Sequence, residues 1–346
     1  MCIRDSNVLG YQPVNSTLEA SIIQSRIQSS PTIPTLDQDG NIRTVGFELE
    51  FSGLTLEQTS KALQSTLHGV IVDSTEAQHT IAVDGLGEFF VEVDWEYLKK
   101  EAEGTPKGGH LPLLRDVASL VVPIEVVCPP IPMNEIHKLD PLIDALHAAG
   151  AKGTDDSIFA AFGLHINTAL PDTSAATIDR YLKAFALLQW WLHKIHEVNL
   201  SRRVTPYVDL FPNKYLQVVL SRTEPTLAEL MDDYLQYNAT RNRALDMLPL
   251  FALLDKARVE AAVDDDRIKS RPTFHYRLPN CLIGSAAWSL QSPWQIWLLV
   301  EHLANSPQAL KSLGNDFLES WRPMLGVDQK IWLEKIEQWL TSQKLV

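Results

Sequence analysis

Five segments of this chain alternate apolar and polar side chains with a strict period of two, and the polar half of each is built from groups that carry chemistry. Along Val45 to Ser52, Val45, Phe47, Leu49 and Phe51 fall on one side, and Gly46, Glu48, Glu50 and Ser52 on the other. Phe89, Val91, Val93 and Trp95 oppose Phe90, Glu92 and Asp94, and Val122, Ile124 and Val126 oppose Glu125. Leu164 and Ile166 oppose His165 and Asn167; Phe274, Tyr276 and Leu278 oppose His275 and Arg277. Successive side chains of a strand point to opposite faces, so the pattern predicts a sheet with one apolar and one chemical face. A merely solvated face would carry polar residues of any kind. These segments collect carboxylates, imidazoles, an amide and an arginine instead.

Carboxylates at i and i+2 of a strand sit roughly 7 Å apart, and each such pair repels by about 2 kcal/mol at an effective dielectric of ~20. Glu48 with Glu50, Glu92 with Asp94, and Glu125 together call for a compensating cation. Mg²⁺ or Mn²⁺ meets that need, since both take carboxylate oxygens and Mn²⁺ also takes imidazole. A solvated charged face and structural salt bridging are the competing readings. Arg277 pairs with Glu48 or Glu50 on one reading, and stabilises a transferring phosphoryl group beside the metals on the other.

The charge balance restricts partners. Lys plus Arg number 30 against 43 for Asp plus Glu, a formal net charge of −13 over 346 residues. Such a chain repels nucleic acid and anionic membrane surfaces at long range. The apolar stretches Ala186 to Leu192 and Ile296 to Val300 fall well short of the ~18 residues a membrane span requires. Cys2, Cys128 and Cys281 form no C-x-x-C pair and no disulfide framework, which predicts a reducing, cytoplasmic setting and inert thiols. Met1 to Ser6 lacks the apolar core of a signal peptide and reads as a translated sequencing-library adapter, so Cys2 is set aside.

Residues 1–43 read as an N-terminal arm, 44–291 as the catalytic domain and 292–346 as a helical cap on that same domain. Thr55-Leu56-Glu57-Gln58 predicts a capping box opening a helix. Met133, Ile136, Leu139, Ile143 and Leu146 recur at helical spacing, as do Ile178, Tyr181, Leu182, Phe185, Leu188, Leu192 and Ile195. Six of the nine Trp follow Asn280, in a stretch that reads as three helices. The loop Gly104 to His110 is Gly-rich but lacks P-loop spacing, which favours a surface connection over a phosphate grip. His193, His196 and Glu197 do not match a zincin motif and read as polar residues of a helix face. Arg241 and Arg243 either reach phosphate or cap a helix, and Asp264 to Asp266 reads as a solvated turn.

Taken in order, six segments resemble the amidoligase family, relatives of glutamine synthetase and gamma-glutamylcysteine synthetase. They are Gly46-Phe47-Glu48-Leu49-Glu50-Phe51, Val93-Asp94-Trp95, Pro123 to Pro130, Gly163-Leu164-His165-Ile166-Asn167, Asn242 to Phe251 and Thr273 to Asn280. The resemblance spans residues 44 to 300. It implies an α+β, glutamine synthetase-like fold, with an antiparallel sheet holding metals and ATP on one face and helices on the other. It also implies ATP-dependent joining of a small-molecule or peptide carboxylate to an amine through an acyl-phosphate. By the same resemblance Glu48, Glu50, Glu125 and His165 hold metal, Glu125 and Arg277 serve catalysis, and Arg277, Arg243 and Asn167 contact ATP. Two positions depart from the glutamine synthetase pattern: His275 stands where a Glu is usual, and Asn167 where a second His is usual. His275 is a further metal ligand on this reading. A metal-dependent hydrolase and a non-catalytic metal- or nucleotide-binding relative are the alternatives, separated from a ligase by a requirement for ATP and by metal stoichiometry.

Overall fold

The computed structural model describes residues 33–93, 123–156, 162–198 and 208–345. The expected N-terminal arm up to residue 32, Asp94, Trp95, Val122 and the loop Gly104 to His110 lie outside the described residues.

Nine strands form one sheet: β1 (Thr44–Phe51), β2 (Val70–Ser74), β3 (Gln78–Val83), β4 (Gly87–Val93), β5 (Ile124–Val127), β6 (Ile131–Pro132), β7 (Leu164–Ala169), β8 (Leu245–Asp246) and β9 (Thr273–Tyr276). Their order is β2-β3-β4-β5-β1-β7-β9-β8, with β6 pairing separately to β1, and every pairing between named strands is antiparallel. The five segments with two-residue alternation are the five consecutive strands β4-β5-β1-β7-β9. Strands β2, β3, β6 and β8 extend or trim this central band. The two residues of β8 are too few to display a period.

Ten helices are described: α1 (Leu56–Leu67), α2 (Asp140–Ala149), α3 (Ala175–Ile195), α4 (Asn213–Ser221), α5 (Leu227–Asn238), α6 (Leu248–Leu254), α7 (Lys256–Ala262), α8 (Gln291–Ala304), α9 (Pro307–Glu319) and α10 (Gln329–Ser342). The chain is thus a mixed α/β protein with a mainly antiparallel open sheet. Thr55 opens α1 as expected: its hydroxyl accepts the Gln58 N–H at 3.2 Å, and the Gln58 side chain accepts the Thr55 N–H at 2.9 Å. The periodic run from Met133 is helical only from Asp140, after a 3₁₀ turn over Ile136–Leu139. Pro141 explains the boundary, because a proline ring is accommodated in a first helical turn and not in an interior one.

Val45, Phe47, Leu49 and Phe51 of β1, Phe89 and Val91 of β4, and Phe274 and Tyr276 of β9 are completely buried. Each large apolar side chain removed from water in this way contributes about 1.5–3 kcal/mol. Helices α3 and α8 pack against β9: Tyr181 stacks on Phe274 with centroids 4.5 Å apart, and Trp297 lies 5.1 Å from Tyr276.

A charged network is buried within this apolar packing. Arg43, just before β1, pairs with Glu301 of α8 through NH2–Oε1 at 2.7 Å and NH1–Oε2 at 3.0 Å, and both side chains are fully buried. Arg43 also donates to the Ala169 carbonyl at 2.9 and 2.7 Å and to the Pro34 carbonyl at 2.7 Å. The Tyr181 hydroxyl and the Trp297 indole donate to Glu301. The network ties the entrance of β1 and the end of β7 to α3 and α8, which fixes the helical layer against the strands bearing the chemical residues.

Candidate metal centre

Hydrogen-bonded register sorts the polar residues of seven strands into rows, because directly opposed residues of an antiparallel pair share a face. One row runs Gln78, Glu92, Glu125 and Glu50 across β3, β4, β5 and β1. Glu48 of β1 opposes His165 of β7. A further row runs Asn167, His275 and Asp246 across β7, β9 and β8. Neighbouring strands lie about 4.8 Å apart, so side chains of adjoining rows meet above the sheet.

Glu48 is at the centre of this meeting. Its Oε2 accepts from His165 Nδ1 at 2.9 Å and lies 3.6 Å from His275 Nε2. Its Oε1 accepts from Asn167 Nδ2 at 2.8 Å and more weakly from Arg271 NH2 at 3.4 Å. The two imidazoles meet edge to face, with centroids 5.1 Å apart. On the other side of His165, Nε2 lies 3.4 Å from Glu50 Oε1, while Glu50 Oε2 accepts the Gly163 N–H at 2.7 Å. Glu48, His165 and His275 each bring one ligand atom within 4.8 Å of the others, and Glu50, Glu125 and His165 do the same.

Burial and atom chemistry bear on the readings of this face. His165, Asn167 and His275 are 5%, 8% and 3% exposed, so this part of the polar face is not in water. A carboxylate only accepts hydrogen bonds, so the proton of the His165–Glu48 contact is on Nδ1. In neutral His165 the Nε2 lone pair then faces Glu50 Oε1, acceptor to acceptor. Both ring nitrogens of His275 and the Oδ2 of Asp246 are buried without a hydrogen-bond partner among the described residues. Opposed lone pairs on imidazole and carboxylate are the donor set of a divalent cation such as Mn²⁺ or Mg²⁺, and the residues present fit one.

Burial pushes the Glu48 carboxyl upward, but the contacts with His275 and His165 overcome this and hold it well below the usual carboxylate range. Burial, reinforced by the positive charge of Arg277, carries His165 down to about 4 against the opposing pull of Glu50 and Glu48. A neutral His165 beside an ionised Glu48 is a protonation state that can ligate metal.

Glu48, Glu50, Glu125, His165 and His275, all anticipated from alternation, come together here. Asn167 adjoins them as a bridge: its Nδ2 donates to Glu48, and its Oδ1 accepts from Arg271 Nε at 2.9 Å. Arg277 is close enough for its charge to act on His165, and its NH1 donates to the Arg241 carbonyl at 2.9 Å. Arg243 is not brought to this cluster; its guanidinium donates to the carbonyls of Leu210 at 3.1 Å and Tyr237 at 3.0 Å. Glu92 lies beyond Glu125 in its row and accepts from Gln78 Nε2 at 3.0 Å. Cys128 and Cys281 are buried free thiols, and burial pushes the Cys128 thiol up, away from thiolate reactivity. Asp265 of the acidic run bonds Arg267, at 2.6 Å to its Nε.

A family model described as "Putative amidoligase enzyme" matches residues 41–299, the span that contains every residue of this centre. The chain belongs to the amidoligase family. No curated protein and no solved structure matches it. For an amidoligase-family chain, two residues of the centre stand out as unanticipated from alternation. Asp246 sits on the two-residue β8, and Arg271 precedes β9 in a loop, so neither belongs to a segment long enough to show a face. Among the described residues no helix is long and apolar enough to cross a membrane.

Proposed function

We propose that this amidoligase-family chain is an ATP-dependent carboxylate–amine ligase working through an acyl-phosphate, on a glutamine synthetase-like domain spanning residues 44–291 with residues 292–346 as its helical cap. The observation that carries the reading is the convergence of three carboxylates and two buried imidazoles on one sheet face within the family-matched span. Glu48, Glu50, Glu125, His165 and His275 would hold Mg²⁺ or Mn²⁺. When bound, such ions neutralise phosphate charge and polarise the phosphoryl group in transfer.

The protein's own residues prepare that step. Asn167 and Arg271 lock Glu48 Oε1, leaving Oε2 turned toward the two imidazoles. The cationic Arg277, close to His165, stabilises negative charge developing on the phosphoryl oxygens. The carboxylate substrate attacks the terminal phosphorus of ATP, ADP leaves, and the amine then displaces phosphate from the acyl carbon. Within the chain Arg243 donates to two backbone carbonyls and Asn167 holds Glu48; contact of either with ATP stays part of the proposal.

The test is a screen of carboxylate and amine pairs with ATP and Mg²⁺ or Mn²⁺ for release of ADP and phosphate. With ¹⁸O in the substrate carboxylate, one label appears in phosphate. Arg277→Ala slows turnover by about 10²- to 10³-fold, the range for loss of one charge-stabilising donor. Release of AMP, or amide hydrolysis that proceeds without ATP, rejects the ligase reading, the latter in favour of a metal-dependent hydrolase.

A further inference from the structure

His275 presents a choice that its surroundings resolve. Its side chain is 4% exposed, Nδ1 faces Asp246 Oδ2 at 3.5 Å, and Nε2 faces Glu48 Oε2 at 3.6 Å. Neither nitrogen has a hydrogen-bond partner among the described residues, and neither does Asp246 Oδ2, on a side chain 1% exposed. As a metal ligand His275 must be neutral, and a neutral imidazole carries one N–H and one lone pair, so it can donate to only one of two flanking carboxylates.

The two carboxylates are not equivalent. Glu48 already receives His165, Asn167 and Arg271. Among the described residues Asp246 receives only the Leu248 N–H, through Oδ1 at 3.0 Å, and its Oδ2 lies 3.5 Å from the ring Nδ1. A buried carboxylate oxygen left without a donor is the costlier omission. The proton therefore belongs on Nδ1, and the lone pair of Nε2 then faces Glu48 beside His165.

We infer that Asp246 is a positioning residue, which fixes His275 as the Nδ1–H tautomer so that Nε2 is offered to a divalent metal held with Glu48. The inference rests on the metal reading given above. The Asp246 carboxylate, one strand over, raises the basicity of the imidazole leaning on it. Register supplies the alignment, since His275 and Asp246 are directly opposed across β9 and β8.

Asp246→Asn separates this role from a structural one. In the variant the amide oxygen keeps the Leu248 N–H, so the NH₂ takes the place of Oδ2 and donates to Nδ1. That forces the proton onto Nε2 and blocks the ligand atom with no change in side-chain volume. In the full chain with ¹⁵N-labelled histidine and EDTA, the ring nitrogen spectra are expected to report Nδ1–H for His275 in the parent and Nε2–H in Asp246→Asn. Mn²⁺ titration is expected to show a 10- to 100-fold weaker site in the variant, the range for loss of a group that orients a ligand. In a His275→Ala background Asp246→Asn is expected to add no further loss. An Nε2–H tautomer in the parent, an unchanged Mn²⁺ affinity in Asp246→Asn, or an equal loss in the His275→Ala background overturns the inference. Absence of Mn²⁺ binding by the parent with His275 still in the Nδ1–H form overturns the metal reading instead, and leaves Asp246 a structural partner.

Discussion

Replacing Glu50 by Gln should stabilise the metal-free chain while removing most of what metal adds. Glu50 directly opposes Glu125 across β1 and β5, which puts the two side chains about 5 Å apart. At an effective dielectric of ~20 that pair repels by about 3 kcal/mol, and at twice that value by about half as much. The larger dielectric suits Glu50, whose side chain is 23% exposed. Against this, the Gly163 N–H loses an ionised acceptor, at a cost of about 1 kcal/mol, although the amide oxygen still accepts it. The new NH₂ can donate to the His165 Nε2 lone pair that Glu50 Oε1 faces at 3.4 Å. The balance favours the variant by about 1 kcal/mol in EDTA, an increase in melting temperature of roughly 1–3 °C for a chain of this size. Mn²⁺ at ~100 times its dissociation constant stabilises the parent by about 2.7 kcal/mol, whereas a hundredfold weaker site gains about 0.4 kcal/mol at the same concentration. Thermal or urea unfolding of both proteins, in EDTA and in Mn²⁺, should therefore show the order of stability reversing. A variant less stable than the parent in EDTA, or one that keeps the full Mn²⁺ gain, would refute the assignment of Glu50 to a repulsive, metal-binding row.

Three further outcomes are expected. Arg43→Met and Glu301→Leu should each cost about 3–5 kcal/mol by leaving a buried charge unpaired. The double variant should fall short of their sum by at least about 2 kcal/mol in urea denaturation, and strict additivity would remove the network from the account. His165, held to about 4 in the fold, takes up its proton first in the unfolded chain. The metal-free protein should thus lose up to about 3 kcal/mol as pH falls from ~6.5 to ~4, and that slope should be absent from His165→Gln. Thr55→Ala should cost about 1 kcal/mol through loss of the α1 cap, and an unchanged denaturation midpoint would show that the hydroxyl bond is not stabilising.

Local rules account for what the sequence determined. A side chain's face along a strand follows from a period of two. Glu48, Glu50, Glu125, His165 and His275 could therefore be assigned to one surface before any strand was paired. The Thr55 cap was equally local, since its bonds span three residues. Pairing was not local. That Glu50 opposes Glu125, Glu48 opposes His165, and His275 opposes Asp246 depends on which strands are neighbours and in what register. No pattern within a single segment holds that information. Asp246 and Arg271 stayed hidden because a two-residue strand and a loop have no period to read. Arg243 could reach phosphate or cap a helix as far as sequence goes, and only the fold shows its guanidinium donating to the carbonyls of Leu210 and Tyr237. The Arg43–Glu301 pair joins residues 258 positions apart, so only the packing of α8 on the sheet could bring them together and exclude water from both charges. The sequence by itself determined which groups share a face; tertiary structure decided which of them touch, because contact depends on strand order and register while face depends only on the geometry of one chain.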